Sequence, residues 1–484
     1  MKAYKTVAFI FCIMAALALL AHFYPRDGVQ VGNVLAEFPS VQDVIGEEVE
    51  TDTLVEEVEA QADTLTPEEL VDLRMAELKA AKDSQFVSFC SKSPTRFYMP
   101  DDDLTYLDPV FEALEAAREK PVRIMHYGDS QLEGDRITGV LREKFQDLFG
   151  GNGPGLLPAV QTLGSATGRV TTSPELDHYM YFGSADFHAD HKRYGPLAQV
   201  ATVDSMATFT IQATGGSVYP HCRSFRKVSI AMMGEGEFTV SYDTLEQEMT
   251  CPLSGSESLR IFSAVLPRSV GKATITARGR MEVFGVMAEG TTGVSVDNIA
   301  MRGASGTLFS SIDSRSLAPF FHQQNVVLIL LQYGGNSVPY LKGRDNCSAY
   351  KKQLESQIAL FKRMAPNARI VFVGPSDMGT DIEGEMKTYP QLPMVVDSLR
   401  QAALDSGVAF WDMYHAMGGY GSMVRWVESD PPLAGEDYIH FTPLGAKHIS
   451  KMLYGAFELY YNYYRFRYGL DAEETPDSTT VDNS

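Results

Sequence analysis

A serine, a histidine and an aspartate occupy positions that suit acyl-transfer chemistry. Ser130 closes the tripeptide Gly-Asp-Ser at 128–130, directly after the apolar run 122–127, which predicts a buried strand. Much later in the chain, Asp437 and His440 lie three residues apart. A serine nucleophile, a histidine base and an acid that orients the base are the minimum set for acyl transfer. Because Gly-Asp-Ser alone is ordinary turn chemistry, the hypothesis requires that the three residues meet in space.

Two further residues follow predicted strands and carry suitable hydrogen-bond donors. The apolar, β-branched run 325–332 is typical of a strand buried on both faces in a parallel sheet, and it leads to Asn336. Open α/β sheets bind ligands at the carboxyl ends of their strands, so the Asn336 amide is a candidate donor to a developing oxyanion. Gly303 follows the predicted strand 294–299, and its backbone N–H can turn toward the same point.

These motifs, in this order, make the chain resemble the SGNH (GDSL-type) hydrolases. The four blocks are Gly-Asp-Ser at 128–130, Gly303, Gly-Gly-Asn at 334–336 and Asp-x-x-His at 437–440, the last of them before a terminal helix. The resemblance implies a flavodoxin-like three-layer α/β/α fold with a parallel sheet. Gly306 competes with Gly303 for the second block, and Ser337 departs from the Asn-Asp that the family often has.

The resemblance also assigns roles. Ser130 would be the nucleophile, His440 the base and Asp437 the residue that orients it, while Asp129 would be structural. The N–H groups of Ser130 and Gly303 and the side chain of Asn336 would form the oxyanion hole. This chemistry requires no cofactor, and we predict none, nor a metal site.

Two other side chains are candidates for contact with substrate. Gln131 follows the nucleophile directly, and Arg302 adjoins Gly303, where it could meet an anionic group or simply be solvated. A tyrosine-rich stretch at 460–464 is expected to pack the end of the last helix, with a sugar-stacking surface as the alternative.

The middle of the chain changes from α/β patterning to short alternating runs. Runs such as 207–211, 227–231, 237–241 and 273–277 predict strands of an inserted β-sandwich at 158–290. The α/β hydrolase domain is then split into 86–157 and 291–468, and an acidic tail follows at 469–484. Polysaccharide and peptidoglycan O-acetyl esterases of the SGNH type have a similar arrangement, with an inserted carbohydrate-binding-like jelly roll. A purely structural insertion is the alternative.

The N-terminal part of the chain predicts export. Two lysines precede an apolar run within residues 1–25, which indicates a signal anchor, with a cleaved signal peptide as the alternative. Residues 26–85 are rich in acids and predict a mostly disordered spacer. We therefore expect a periplasmic or cell-surface protein, anchored in the inner membrane. The 41 basic and 62 acidic residues, a net charge of −21, argue against binding to nucleic acid.

Four cysteines follow the apolar run. An oxidising compartment permits disulfides, and we predict the pairs Cys222–Cys251 and Cys90–Cys347, with four buried free thiols as the alternative.

Together these observations predict a serine esterase that removes O-acyl groups, chiefly O-acetyl, from an acylated polysaccharide or peptidoglycan. One alternative is a polysaccharide O-acetyltransferase with the same triad and a membrane acyltransferase partner. The other is a glycan-binding protein without catalysis, which the presence of all four side chains argues against.

Overall fold

The computed structural model describes residues 29–31, 34–36, 67–242, 245–250 and 256–470. The predicted signal segment (1–25), most of the acidic spacer, Cys251 and the tail from residue 471 lie outside the described residues. Within the described ranges, no helix combines the length and the hydrophobicity needed to cross a bilayer. Export and anchoring therefore stay predictions.

The chain divides into two units, residues 1–82 and residues 83–484. In the first unit, a short antiparallel hairpin is formed by β1 (Val29–Val31) and β2 (Val34–Ala36). Residues 67–85 of the predicted spacer are helical, because α1 extends from Pro67 to Lys92.

The second unit contains the remaining strands and helices. The strands are β3 (Phe97–Tyr98), β4 (Val122–Gly128), β5 (Gly155–Leu157), β6 (Gly168–Ser173), β7 (His178–Met180), β8 (Gln199–Val203), β9 (Met206–Ala213), β10 (Phe225–Tyr242), β11 (Leu245–Thr250), β12 (Ser256–Val270), β13 (Lys272–Glu289), β14 (Val294–Ala300), β15 (Val326–Gln332), β16 (Arg369–Val373), β17 (Gly379–Ile382), β18 (Glu385–Thr388) and β19 (Ala409–Trp411). The helices are α2 (Asp108–Glu115), α3 (Thr138–Phe149), α4 (Ser314–Gln323), α5 (Arg344–Met364), α6 (Leu392–Asp405), α7 (Met413–Ala416), α8 (Ser422–Val427) and α9 (Pro443–Tyr468).

A parallel sheet forms the centre of the α/β part. Its strand order is β14-β4-β15-β16-β19-β3, with only β3 antiparallel. Numbered by their order in the chain, the five parallel strands have the order 2-1-3-4-5 of flavodoxin-like folds. The strand order reverses between β4 and β15, and this switch point is where such sheets bind ligands.

Helices cover both faces of this sheet. Alternating residues of β15 divide between two hydrophobic clusters: Ile329 and Leu331 pack with α4, α5 and α6, while Leu328 and Leu330 pack with α2, α3 and α9. Every residue of β4 and β15 is buried, as expected for central strands of a covered parallel sheet. The predicted three-layer fold is confirmed.

The last helix positions the segment that precedes it. Thr442 caps α9 by accepting a hydrogen bond from the N–H of Gly445 at 3.2 Å, and Pro443 occupies the first turn. The helix continues to Tyr468. The tyrosines at 460, 461, 463 and 464 are 1–7 % exposed and pack in the core, so they form no sugar-stacking surface.

The segment predicted as an inserted β-sandwich consists of antiparallel strands. Within the described residues, the nine strands β5 to β13 are joined by hydrogen bonds into one continuous sheet, which has a hydrophobic cluster of its own. Pairing of β5 with β13 begins the insertion at Gly155, three residues before the predicted boundary. The runs predicted as two strands at 227–231 and 237–241 belong to the single strand β10, in which Gly234 takes a φ of +111°.

A buried ion cluster joins the insertion to the parallel sheet. Arg123 of β4 donates to both carboxylate oxygens of Asp297 on β14, at 2.8 and 2.7 Å, and to Glu289 at the end of β13. Lys227 of β10 contacts Glu289 at 2.7 Å. Burial raises the pKa of Glu289, but the charges of Arg123 and Lys227 outweigh burial and lower it to about 2. The insertion therefore completes the charge balance around Arg123 of β4.

The described cysteines are free thiols. Cys90 and Cys347 are buried in the two different hydrophobic clusters, which lie on opposite faces of the parallel sheet. The predicted Cys90–Cys347 disulfide is therefore wrong. Cys222 is also buried and free, with its thiol donating to the Gly153 carbonyl at 3.5 Å. Its predicted partner, Cys251, lies outside the described residues.

Candidate active site

Ser130 lies on a sharp turn between β4 and α3. The chain leaves β4 at Gly128, where a Cβ atom would lie 2.7 Å from Leu132 Cδ1 and 3.1 Å from the carbonyl oxygen of Gln332. Only glycine fits this close approach to the neighbouring strand. A 3₁₀ turn then begins at Ser130, so the serine stands at the carboxyl end of β4, at the switch point of the sheet.

The histidine segment reaches Ser130 from the other end of the chain. His440 Nε2 lies 2.8 Å from Ser130 Oγ, and His440 Nδ1 lies 2.7 Å from Asp437 Oδ2. Asp437 Oδ1 accepts the N–H groups of Ile439 and His440, both at 3.0 Å, so the carboxylate also shapes the turn. The structure thus brings together the three residues proposed for the triad.

The electrostatic setting of Asp437 suits an orienting carboxylate. Its side chain is half exposed and that of His440 is one-third exposed. Although partial burial raises the pKa of Asp437, the hydrogen bonds from the His440 N–H and ring lower it below the ordinary value. Asp437 is therefore ionised at neutral pH and holds an N–H at His440 Nδ1, which leaves Nε2 free to accept the Ser130 proton.

The three predicted oxyanion donors lie at the same edge of the sheet. Gly303 has a φ of +77°, and the N–H groups of Gly303 and Ser130 donate to no backbone carbonyl of the described residues. The Asn336 amide donates to Asp129 Oδ2 at 3.2 Å and to the Ala304 carbonyl at 3.1 Å. Gly306 instead faces the Tyr333 ring, 2.7 Å from where a Cβ would lie, which fits a packing role.

Asp129 orients the Asn336 amide. Its Oδ1 accepts the N–H of Gln131 at 3.0 Å, and its Oδ2 accepts from Asn336. Burial raises the pKa of Asp129 to about 6, so at neutral pH the carboxylate is ionised and accepts both bonds. The structural role that the resemblance implied therefore includes the positioning of Asn336, the predicted oxyanion donor.

Two side chains after the nucleophile clamp the histidine segment. Gln131 Nε2 donates to the Ile439 carbonyl at 2.6 Å, and Gln131 Oε1 accepts the N–H of Phe441 at 3.4 Å. Arg136 donates to three carbonyls, those of Glu133 and Phe441 at 2.9 Å and that of Ser130 at 3.0 Å. The hydrogen bonds of Gln131 thus flank His440, and its contact with substrate stays a prediction.

A hairpin absent from the sequence-based prediction supports the same segment. Strands β17 and β18 pair antiparallel, and Gly379 of β17 donates to the Tyr438 carbonyl at 2.8 Å. The two-residue turn Glu383-Gly384 has positive φ at both positions, which is the signature of a tight hairpin. Gly384, a residue that readily takes positive φ, was the sequence signal that could have indicated the turn.

Ser130 opens into a cavity of about 220 Å³, whose lining includes Asn336, Tyr340, Met378 and His440. Arg302 lies on the other side of His440. Its side chain is 71 % exposed and meets Glu133 at 3.6 Å. There it lines a second opening together with His440 and with Leu163 and Gly164 of the insertion. Its contact with substrate stays a prediction.

Metal-binding residues are not grouped here: within the described ranges there is no cluster of three or more His, Cys, Asp or Glu side chains that could hold a metal ion.

Comparison with known proteins gives a match in structure but not in sequence. No family model and no curated protein matches the chain. A solved structure of a peptidoglycan O-acetylesterase matches with a TM-score of 0.62 and 20 % identity, over 76 % of this chain and 99 % of that chain. That coverage exceeds the two α/β segments together, so the match includes part of the insertion. This likeness shows the fold, and it confirms the predicted SGNH-type architecture.

Two other solved structures match with much lower scores. A family two carbohydrate esterase from Cellvibrio japonicus has a TM-score of 0.24 and 10 % identity, over 61 % of this chain and 99 % of that chain. An acetyl xylan esterase has a TM-score of 0.25 and 12 % identity, over 34 % of this chain and 81 % of that chain.

Proposed function

We propose that this chain is an exported serine esterase of the SGNH type that removes O-acyl groups, chiefly O-acetyl, from a polysaccharide or from peptidoglycan. One observation carries the proposal: Ser130 Oγ, His440 and Asp437 form a continuous hydrogen-bonded relay of 2.8 and 2.7 Å at the switch point of the sheet. The sequence of residues 1–25 supports export.

Acylation follows from the geometry of the relay. His440 Nε2 takes the Ser130 proton while Oγ forms a bond to the ester carbonyl carbon, and the carbonyl oxygen becomes an oxyanion. Collapse of this intermediate breaks the bond to the sugar oxygen, which receives the proton from His440 Nε2. Asp437 stabilises the imidazolium that exists between these two transfers.

Deacylation repeats the cycle with water. His440 takes a proton from water, the resulting hydroxide attacks the acyl carbonyl, and the Ser130 oxygen leaves with the proton from His440. Acetate is released and the serine is restored. His440 is one-third exposed, so water can reach the ring.

The oxyanion would be held by three donors. The N–H groups of Ser130 and Gly303 are free of backbone partners within the described residues. The Asn336 amide is already oriented by Asp129 and Ala304, so it exchanges or shares its 3.1 Å bond to the Ala304 carbonyl when the oxyanion forms. Donors held in place before the reaction give the largest electrostatic benefit.

Two observations support a carbohydrate ester as substrate. The matched structure with a TM-score of 0.62 is that of a peptidoglycan O-acetylesterase. In addition, Leu163 and Gly164 of the insertion border an opening shared with His440, so the insertion helps to shape the space beside the relay.

Acetate release by the purified full-length chain tests the proposal. The substrates are p-nitrophenyl acetate, O-acetylated peptidoglycan and acetylated xylan, and the variant is Ser130→Ala. We expect Ser130→Ala to lower kcat by about 10³-fold or more, because the residual rate then depends on binding and the oxyanion donors alone.

The assignment fails if Ser130→Ala retains wild-type turnover, or if the wild type releases no acetate from any of the three substrates. Appearance of newly acetylated glycan faster than free acetate would reject the simple esterase in favour of a transferase. Ser184→Ala, a change at an exposed serine of the insertion, is the control and is expected to leave turnover unchanged.

A further inference from the structure

A groove without charged residues lies beside the oxyanion donors. Its volume is about 420 Å³, and its walls include Ser305, Tyr340, Asn346, Ala349 and Gln353; we call it the neutral groove. It shares Asn336 and Tyr340 with the cavity of Ser130. None of its lining residues is charged, in a chain with 41 basic and 62 acidic residues.

Tyr340 stands between the groove and the catalytic cavity. It is 77 % exposed, the highest exposure of any large hydrophobic side chain in the described residues. By contrast, the tyrosines at 460, 461, 463 and 464 of α9 are buried in the core. An aromatic ring with one apolar face in water and a polar tip is suited to a ligand that has both apolar and polar surface.

Helix α5 supplies the opposite wall. Asn346, Ala349 and Gln353 are spaced so that they lie on one face of the helix, and all three are exposed. Neither side-chain amide has a hydrogen-bond partner within the described residues. The small Ala349 between them leaves room for a ligand, and each amide offers both a donor and an acceptor.

The floor of the groove is rigid. Tyr350 is only 7 % exposed, and its hydroxyl donates to the Ser305 carbonyl at 2.7 Å. This bond ties α5 to the segment that carries Gly303. The groove therefore exists before a ligand arrives, which lowers the cost of binding.

The other side of His440 is different. There Arg136 donates hydrogen bonds to three backbone carbonyls, and Arg302 contacts Glu133. Arg136 thus holds the protein's own loops, while Arg302 stays largely in solvent. The neutral groove differs because it offers amide donors and acceptors without a charge.

We propose that the neutral groove binds an uncharged pyranose residue of the glycan that carries the ester. The apolar face of the sugar ring packs on Tyr340, and its hydroxyl or acetamido groups bond to Asn346 and Gln353. This inference rests on the proposed function for its position next to the ester, but sugar binding itself needs no catalysis. Uncharged amides and an exposed ring match the chemistry of an uncharged sugar and give no counter-charge for an ionic ligand.

Binding to the inactive full-length chain tests the groove without turnover. In the Ser130→Ala background, calorimetry with N-acetylchitotetraose is expected to show binding that Tyr340→Ala weakens about tenfold, the size of one good aromatic contact. Tyr340→Phe keeps the ring and is expected to retain most of the affinity. Tyr420→Ala removes a tyrosine that is 60 % exposed outside the groove, and serves as the matched control.

Kinetics provide the second readout. The ratio of kcat/KM for acetylated xylan to kcat/KM for p-nitrophenyl acetate is expected to fall about tenfold in Tyr340→Ala and about fivefold in the double variant Asn346→Ala, Gln353→Ala. An equal fall of kcat/KM for both substrates, or tetrasaccharide binding that does not depend on Tyr340, overturns the proposal that the groove binds a sugar. Binding that depends on Tyr340 in a chain that hydrolyses no ester would support the groove and overturn the esterase.

Discussion

The chain carries two Asp-x-x-His turns, at 437–440 and at 412–415, and their local geometry is nearly the same. In each turn the histidine Nδ1 meets the aspartate Oδ2, at 2.7 Å for His440 and 2.8 Å for His415. In each, the aspartate Oδ1 also accepts the histidine N–H at 3.0 Å. The four-residue motif is therefore first of all a stable turn, and it arises without catalysis.

The difference lies in what surrounds each histidine. His440 Nε2 meets Ser130 Oγ and faces a cavity, whereas His415 is 55 % exposed and packs beside the Tyr414 ring. The two aspartate side chains show the opposite order of exposure. Asp437 is half exposed, while Asp412 is only 2 % exposed, caps α7 and also contacts Arg400 at 3.4 Å. The turn at 437–440 places its histidine against Ser130, whereas the turn at 412–415 buries its aspartate.

Removal of each histidine gives the largest expected contrast. His440→Ala is expected to lower kcat by about 10³–10⁴-fold, because the base and proton donor is lost. His415→Ala changes an exposed side chain and is expected to leave kcat within about twofold. Acetate release from p-nitrophenyl acetate measures both. Equal losses of kcat in the two variants would show that the different surroundings of the two histidines do not matter for catalysis.

Removal of each acid's charge should separate activity from stability. Asp437→Asn is expected to lower kcat by about 10²–10³-fold, since the imidazole loses its orienting charge. Asp412→Asn is expected to keep kcat within about twofold but to lower the free energy of unfolding by about 1–2 kcal/mol, because a buried cap and ion pair are weakened. Urea denaturation followed by circular dichroism measures the second effect. A stable Asp412→Asn chain with impaired turnover would contradict the assignment.

We expect a change of pH to affect activity only around the turn at 437–440, and this effect is the smallest of the three. The pKa of Asp129 is raised to about 6, and its charge acts on His440. As the pH falls through about 6, Asp129 takes up a proton and Asn336 loses an acceptor, so kcat/KM is expected to fall by up to about tenfold. In Asp129→Asn, the part of this fall that depends on Asp129 should disappear; an unchanged pH profile would show that its titration does not matter.

Unfolding does not account for that loss. A carboxyl whose pKa is higher in the folded state than in the unfolded state favours folding below its unfolded pKa, and this contribution is lost as the pH rises through about 6. Asp129 therefore stabilises the fold on the acid side, where activity declines. Circular dichroism across the same pH range provides the control.

Much of the α/β part could be predicted from local patterns. The strands at 122–128 and 326–332 are apolar runs, and Thr442 with Pro443 marks a helix start by side-chain chemistry that acts within a few residues. The strand β10 was harder to predict. Its central glycines resemble a turn in the sequence, but Gly234 and Gly236 lie against the backbone of β13 and allow one long strand to bend.

The site was predictable in its reacting residues but not in their supports. Ser130, His440 and Asn336 follow strands or precede a helix, and short motifs mark them. Gln131 and Arg136 act through carbonyls about 300 residues away in the chain, and no local pattern specifies such a contact. The same limit explains the predicted Cys90–Cys347 pair: cysteine counting contains no information on which face of the sheet each thiol occupies.

The ion cluster around Arg123 has a consequence for how this protein can be rebuilt or recombined. The insertion contributes Glu289 and Lys227, and the parallel sheet contributes Arg123 and Asp297. A β-domain transplanted from a relative must carry an acid at the position of Glu289 and a lysine at the position of Lys227. Without the acid, Arg123 loses a buried partner, and breaking such a buried pair costs about 3–5 kcal/mol of folding free energy. The insertion is therefore not an exchangeable module, and domain grafts should keep the carboxyl end of β13 and the start of β10 native.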